Sequence, residues 1–299
     1  MLLYVVIDNR IGFFLQIVIS VLLCYCLLMS LCTNTDKNEP PTILYHYTTV
    51  KGLTGILEDK KIWATNINHL NDSEEYNGSL SKLTKQIKSL TILPNYAFLY
   101  DDVLELLKEY SHHIYVCSFS EKKDDLSQWR AYSSYGNGFS IGFNRLKLDK
   151  LKQVTLGKCI YKPEEQDAKI KSTIDKLKSV VINNEGQDNP GRIINDIMEK
   201  FVMCAPYNKH NAFGEESEWR IVTYVHDEQI IKFRLGKAFL LIPYCELGFQ
   251  DGNGKSPIDE IWIGPKPNMS EWKLSLEILK RKYGIREIYE SKIPYRELG

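Results

Sequence analysis

Residues 43–49 read Ile-Leu-Tyr-His-Tyr-Thr-Thr, and the strand that they predict organises the rest of the chain. The two tyrosines alternate with Leu44 and His46, a period of two that is typical of a half-buried strand. Thr48 or Thr49 can cap the helix that follows, because a threonine hydroxyl accepts a hydrogen bond from an unpaired N–H of the first turn. His46 therefore lies at a strand end just before a helix, where a side chain is well placed to meet a ligand.

Outward from this strand, helical and strand patterns follow one another without strict alternation. Further strands are predicted near 61–65, 114–120, 138–143, 238–243, 258–263 and 285–290, with another that ends near 225. Helices are predicted near 50–60, 73–89, 96–110, 164–184, 193–204 and 270–282, the last closed by Gly284 as a left-handed cap. This order indicates an α+β fold, a single mixed sheet flanked by helices.

The segment from residue 11 to residue 32 carries no charged side chain. A helix of that length crosses a hydrocarbon core of about 30 Å at about 1.5 Å per residue. We therefore expect one N-terminal transmembrane helix and a single-pass membrane protein, with residues 1–40 as anchor and linker and residues 41–299 as one globular domain. A cleaved signal peptide is the alternative, and a start codon upstream of a soluble domain is a third interpretation. The flanking charges leave the orientation of the anchor open.

The composition is that of an ordinary globular protein, with 43% hydrophobic and 25% charged residues. The 38 basic and 38 acidic residues cancel, so the whole-chain charge gives no argument for a nucleic-acid partner. Three of the seven cysteines lie in the apolar N-terminal stretch, the other four do not form the close pairs of a zinc site, and no metal-ligand set is predicted. Four of them lie singly in apolar segments beyond the N-terminal stretch, and we expect these to be buried reduced thiols.

Three separated blocks carry a family resemblance. They are Leu44 to Thr49 with Asn71-Asp72 and Glu74-Glu75, Cys117 to Glu121 with Asp125 to Tyr132 and Gly138-Phe139, and Glu216 to Arg220. In this order they resemble the bacterial family catalogued as domain of unknown function 2971, over roughly residues 43–290. The family name conveys no activity, and the apolar N-terminal stretch is not part of the resemblance.

A more distant resemblance concerns chemistry. A strand ending in His-x-Thr, followed by a helix with a Leu-x-x-Ile-Leu pattern, is similar to the first motif of ADP-ribosyltransferases, particularly those that act on nucleic acid. The resemblance implies that NAD is the substrate and that His46 holds its nicotinamide ribose. It also implies that Ser118-Phe119-Ser120 or Tyr132 supplies the middle motif, and that a glutamate of Glu216-Ser217-Glu218 contacts a ribose hydroxyl. The resemblance covers the motif order alone.

The candidate catalytic residues are His46, Glu216 and Glu218. A neutral imidazole both donates and accepts hydrogen bonds, which suits a ribose diol, although His46 could instead be packed between the tyrosines and bonded to backbone. Two carboxylates that are two residues apart on a strand face the same way, so we expect one raised pKa, an arrangement suited to positive charge on a sugar carbon. Alternatively, Glu218 forms a buried ion pair with Arg220 or Arg130 that fixes the fold.

The candidate ligand-binding residues surround these three. Trp129 and Tyr132 are three apart on a short predicted helix and could form a stacking wall for a planar ring, or else belong to the core. Ser118 and Ser120 could donate hydrogen bonds to phosphate or ribose. The full set is Tyr47, Thr48, Ser118, Ser120, Trp129, Arg130, Tyr132 and Arg220.

Three functions follow from these patterns. The first is an ADP-ribosyltransferase-like enzyme on a membrane anchor, which cleaves the nicotinamide–ribose bond of NAD and delivers the ribose to water or to a macromolecular acceptor. In it His46 orients the ribose, Glu218 stabilises the oxocarbenium-like transition state, and Tyr132 or Tyr47 stacks on nicotinamide. The second is a non-catalytic sensor of defence or stress that binds a nucleotide or peptide. The third is a hydrolase that uses Glu216 and Glu218.

Overall fold

The computed structural model describes residues 39–70, 73–90, 99–134, 136–182, 190–236, 239–249, 256–265 and 272–294. Residues 11–32, where we predict a transmembrane helix, lie outside these ranges, as do Asn71 and Asp72 of the first motif block. Within the described ranges, no helix combines the length and the apolar character that crossing a membrane requires.

Ten strands and eight α-helices are formed by the described residues. The strands are β1 (Ile43–Thr49), β2 (Lys61–Asn66), β3 (Ile114–Ser120), β4 (Gly138–Asn144), β5 (Val154–Lys158), β6 (Glu218–Tyr224), β7 (Lys232–Leu235), β8 (Leu241–Gly248), β9 (Ile258–Ile263) and β10 (Glu287–Glu290). The helices are α1 (Val50–Asp59), α2 (Ser73–Leu90), α3 (Leu99–His112), α4 (Leu126–Tyr132), α5 (Arg145–Leu148), α6 (Pro163–Ile182), α7 (Pro190–Cys204) and α8 (Lys273–Tyr283). Short 3-10 turns include Ala205–Tyr207 and Asn211–Glu216.

The strands form one open mixed sheet, in the order β10-β9-β4-β1-β3-β2-β8-β7. On a further branch, β6 pairs with β3, and β5 pairs with β6. Only β9 and β10 run parallel among the described pairs. The predicted α+β class, a mixed sheet with flanking helices, is confirmed.

The two faces of the sheet bury separate apolar clusters. One cluster packs α1, α5 and α8 against side chains such as Leu44, Phe119 and Ile221. The other packs α2, α3, α6 and α7 against Ile114 and Val222. Alternation along a strand explains this division, because successive side chains point to opposite faces.

The sheet splits along one edge of β3. One end of β3 pairs with β1 at Tyr45 and Ser120, and the other end pairs with β2 at residues 65–66. Between them, residues 117–119 pair only with β6 among the described strands. The strands β1 and β2 therefore diverge beside the middle of β3, and α1 connects them.

Several local predictions hold in the structure. Thr49 caps α1 by accepting a hydrogen bond from Gly52 N at 3.2 Å, and Gly284 ends α8 in the left-handed conformation. Cysteines 117, 159 and 245 are free and buried, as predicted.

Gly138 begins β4, where that strand pairs with the end of β1. A Cβ atom at this position would clash with the carbonyl oxygen of Thr48 and lie 2.8 Å from Ser133 Cβ, whereas a Cβ at Gly78 on α2 would meet nothing within 4 Å. We expect Gly138→Ala to lower the free energy of unfolding by about 1–3 kcal/mol because of overpacking. Gly78→Ala, in an exposed helical turn, should raise it by up to about 1 kcal/mol.

Urea denaturation of the two variants and the wild type measures both changes. Equal stability of Gly138→Ala and the wild type would show that β1 and β4 do not approach each other this closely.

Candidate functional site

A small cleft opens beside the split in the sheet, at the edge of α4. Its lining comes from β1, β3, α4, the 3-10 turn Asn211–Glu216 and the start of β6: Tyr45, His46, Tyr47, Ser118, Phe119, Gln128, Tyr132, Glu216 and Glu218. The cavity volume is about 70 Å³. That is room for about two water molecules, and it is less than the roughly 150 Å³ of a cavity that holds benzene. A group of a few heavy atoms can enter the cleft, and a larger ligand must extend out of it.

His46 fills the gap between β1 and the middle of β3. Its Nδ1 lies 2.9 Å from the carbonyl oxygen of Ser118, and its ring lies 5.7 Å from that of Phe119. Because a carbonyl oxygen only accepts, Nδ1 carries the hydrogen. Burial lowers the pKa of His46, although the Ser118 carbonyl opposes this change. The imidazole is therefore neutral at pH 7, and Nε2 is left as a hydrogen-bond acceptor.

The wall formed by α4 is fixed to β1 through Tyr47. The Tyr47 hydroxyl donates to Lys122 O at 2.8 Å and accepts from Asp125 N at 3.1 Å. The Tyr47 ring makes an edge contact with Trp129, whose Nε1 donates to Asp124 Oδ1 at 2.7 Å. These contacts hold the start of α4, while Tyr132 at its end is 42% exposed at the cleft.

The opposite wall is a cluster of buried charges. Both Nε and Nη2 of Arg220 donate to the Glu218 carboxylate, at 2.8 and 3.1 Å. Lys209 Nζ contacts Glu218 Oε2 and Glu216 Oε2, each at 2.6 Å. Two carboxylates thus face two cations. This cluster realises the alternative in which Glu218 forms a buried ion pair, with Arg220 as its partner.

The charge cluster keeps Glu218 ionised. Burial alone would raise its pKa, but the positive charges of Arg220 and Lys209 outweigh burial and lower the pKa to about 2. The expected raised pKa is therefore wrong for Glu218. A carboxyl group with this pKa cannot act as a proton donor at neutral pH.

Glu216 is placed differently from the prediction. It ends a 3-10 turn, and the left-handed Ser217 separates it from β6, so Glu216 and Glu218 do not share a strand face. The Ser120 hydroxyl fixes this turn by donating to Glu216 O at 2.7 Å. The Glu216 side chain is 19% exposed, and its Oε1 has no hydrogen-bond partner among the described residues. Glu216 therefore offers the cleft an unengaged carboxylate oxygen.

Of the residues predicted from the sequence, six line the cleft and five do not. The six are His46, Tyr47, Ser118, Tyr132, Glu216 and Glu218. The five are Thr48, Ser120, Trp129, Arg130 and Arg220.

The reasons for the five exclusions differ. Trp129 is fully buried against Tyr47, so it cannot provide the predicted stacking wall with Tyr132. Ser120 and Arg220 are buried and act behind the cleft wall, on Glu216 and Glu218. Arg130 is exposed and Thr48 half-buried, both away from the cleft.

The structure also adds lining residues that the sequence patterns did not indicate as ligand contacts: Tyr45, Phe119 and Gln128. Strand alternation could have indicated Tyr45, because it shares a face with Tyr47. Gln128 lies in the same motif block as Trp129, but its burial and direction depend on how α4 packs. Lys209, which joins the two glutamates, lies in a loop that carries no motif.

The fold and the cleft define an α+β domain with a polar and aromatic cleft beside a split in its sheet. Residues 128–221 match the model of a family described as a protein of unknown function (DUF2971). This match supports the family resemblance, over the Gln128 to Phe139 part of the second block and the whole third block. No curated protein and no solved structure matches the chain. The resemblance to ADP-ribosyltransferases is not shown by these comparisons.

Replacing Glu218 tests the charge cluster. The ordinary pKa of 4.5 falls to about 2 in the folded chain, so ionised Glu218 stabilises the fold fully above pH 4.5. Its contribution is lost as the pH falls from 4.5 toward 2. We expect Glu218→Gln to lower the free energy of unfolding by about 3 kcal/mol at pH 7, because it leaves buried cations without their partner. The difference from the wild type should shrink below pH 4.5.

Glu287→Gln is the matched control, because Glu287 pairs with Lys280 at an exposed site. Glu287→Gln should lower the free energy of unfolding by less than about 1 kcal/mol. If Glu218→Gln lowers the free energy of unfolding by as little as this, or by an amount that does not depend on pH, the pairing of Glu218 with Arg220 and Lys209 is contradicted.

Proposed function

We propose that the cleft receives the nicotinamide end of NAD and that the protein cleaves the bond between nicotinamide and ribose. The observation that carries the proposal is the meeting of His46, Tyr132 and Glu216 at one cleft, with an unengaged oxygen on Glu216. Glu216 takes the role that the sequence suggested for Glu218, because both Glu218 oxygens already bind cations. Those contacts make Glu218 a positioning residue, which acts through Lys209.

Each lining residue then has a specific task. Nε2 of His46 accepts a hydrogen bond from a ribose hydroxyl, since Nδ1 is occupied by Ser118 O. The exposed ring of Tyr132 stacks on the planar base at the mouth of the cleft.

The reaction breaks one bond and forms one. The C1′–N bond breaks, its electron pair leaves with nicotinamide, and Glu216 stabilises the positive charge that builds up on the sugar carbon. Water or an acceptor nucleophile then bonds to C1′ and loses a proton.

A second candidate is a non-catalytic sensor in which the same cleft binds a nucleotide. The internal neutralisation of the charge cluster and the small cavity favour this alternative. A hydrolase that uses the two glutamates as acid and base is less well supported, because Glu218 cannot hold a proton at neutral pH.

Glu216→Gln tests catalysis directly. The amide does not stabilise a cation as a carboxylate does, so we expect nicotinamide release from NAD to fall about 100-fold or more. Release is measured on the purified full-length chain. Glu215→Gln is the matched control, because Glu215 is an exposed neighbour in the same turn and lies outside the cleft. It should release nicotinamide at the wild-type rate.

The outcomes separate the two candidates. Equal release by Glu216→Gln and the wild type rules out catalysis by Glu216. Thermal stabilisation by NAD without nicotinamide release, abolished in His46→Ala, establishes the sensor. A wild-type protein that neither binds nor cleaves NAD contradicts both.

We further propose that residues 11–32 attach the protein to a membrane, on the basis of their uncharged sequence. The full-length chain should then remain in the membrane fraction after high-salt and alkaline washes. Leu22→Arg combined with Leu23→Arg should move it to the aqueous fraction, because two charges in the hydrocarbon core are costly. Equal distribution of the two proteins would contradict the anchor.

A further inference from the structure

Gln128 is a largely buried residue in the lining of the cleft. Gln128 is only 6% exposed, yet it forms part of the cleft wall. Its backbone N–H bonds to Asp125 Oδ1, while its side-chain amide has no hydrogen-bond partner among the described residues. The amide is not fully shielded, so it meets the solvent of the cleft and can exchange that solvent for a ligand that pairs with both its donor and its acceptor.

The backbone that carries this amide is fixed by its neighbours. Asp125 caps the helix by accepting hydrogen bonds from Ser127 N and Gln128 N, at 3.0 and 3.3 Å. The next residue, Trp129, is locked in the core by Tyr47 and Asp124. A side chain that projects from a fixed backbone loses less freedom on binding than one on a mobile loop, which favours selective recognition.

The surroundings of Gln128 limit what can bind. The cavity of about 70 Å³ accepts a group of a few heavy atoms and excludes an aromatic ring. The ring of the ligand would therefore lie outside, against Tyr132. On the far wall, the unengaged Oε1 of Glu216 disfavours an anionic group, whereas the charge of Glu218 is neutralised by Arg220 and Lys209.

We propose that Gln128 is a specificity residue that selects a neutral primary carboxamide carried on a planar ring. The Gln128 NH₂ donates to the carbonyl oxygen of the ligand, and the ligand NH₂ donates to the Gln128 carbonyl oxygen. A carboxylate lacks the donor, and a methyl ketone lacks it too. This inference rests on the proposed function for its choice of ligand, and it deepens that function by naming the group that enters the cleft.

The test compares three ligands on the full-length protein by calorimetric titration. Nicotinamide should bind to the wild type, and nicotinic acid and 3-acetylpyridine should bind at least about tenfold more weakly. Gln128→Met, which keeps the length of the side chain without its hydrogen bonds, should weaken nicotinamide binding about tenfold or more and remove the preference among the ligands. Gln128→Glu should bind nicotinamide more weakly than the wild type. Gln86→Met, on the exposed face of α2, is the control and should match the wild type.

Thermal unfolding confirms that each variant is folded before titration, and either Gln128 variant suffices for the comparison. Equal nicotinamide affinity in the wild type and a folded Gln128 variant overturns this inference, and so does equal affinity of the wild type for the three ligands. If the wild type cleaves NAD while either of these two results is obtained, the proposed function stands and only the role of Gln128 is lost. A wild type that binds no nicotinamide and cleaves no NAD overturns both.

Discussion

The buried pairing of Glu218 with Arg220 and Lys209 is the constraint on which the site depends. It joins the start of β6 to the loop that carries Lys209, and Lys209 in turn binds Glu216. Arg220 also donates to the carbonyl oxygen of Pro206, which ties the same loop to the sheet. Such a cluster is costly to break, because removal of one partner leaves an uncompensated buried charge. The geometry of the cleft wall follows from this cluster, and Glu218 is committed to it.

The split of the sheet supplies the other half of the site. The strands β1 and β2 leave the middle of β3 without a partner on one edge, and the His46 ring occupies that space. The backbone of Ser118 would otherwise present an unpaired carbonyl oxygen, which the His46 N–H satisfies. The hydrogen bond from His46 Nδ1 to Ser118 O therefore bridges the gap between β1 and β3, and it also sets the histidine tautomer. His46 therefore supports the sheet and, in the proposed function, also binds the ligand.

Patterns that are local in sequence predicted most elements of the fold, but not the strands β5 and β7. Alternation defined β1, Thr49 capped α1, and Gly284 ended α8. The site was harder to predict, because its character depends on packing between distant segments. Because Lys209 lies in a loop without a motif, the sequence did not indicate its contact with both glutamates. Likewise, the left-handed backbone at Ser217 broke the strand alternation that would have aligned those glutamates.

The most direct test of the cleft as a ligand site is nitrogen NMR of the His46 imidazole during titration with NAD. The geometry predicts a neutral ring at pH 7 with the hydrogen on Nδ1. Addition of NAD should shift the Nε2 resonance toward that of a hydrogen-bonded acceptor and leave Nδ1 nearly unchanged. A spectrum in which His46 is charged, carries its hydrogen on Nε2, or does not respond to saturating NAD would contradict the central claim.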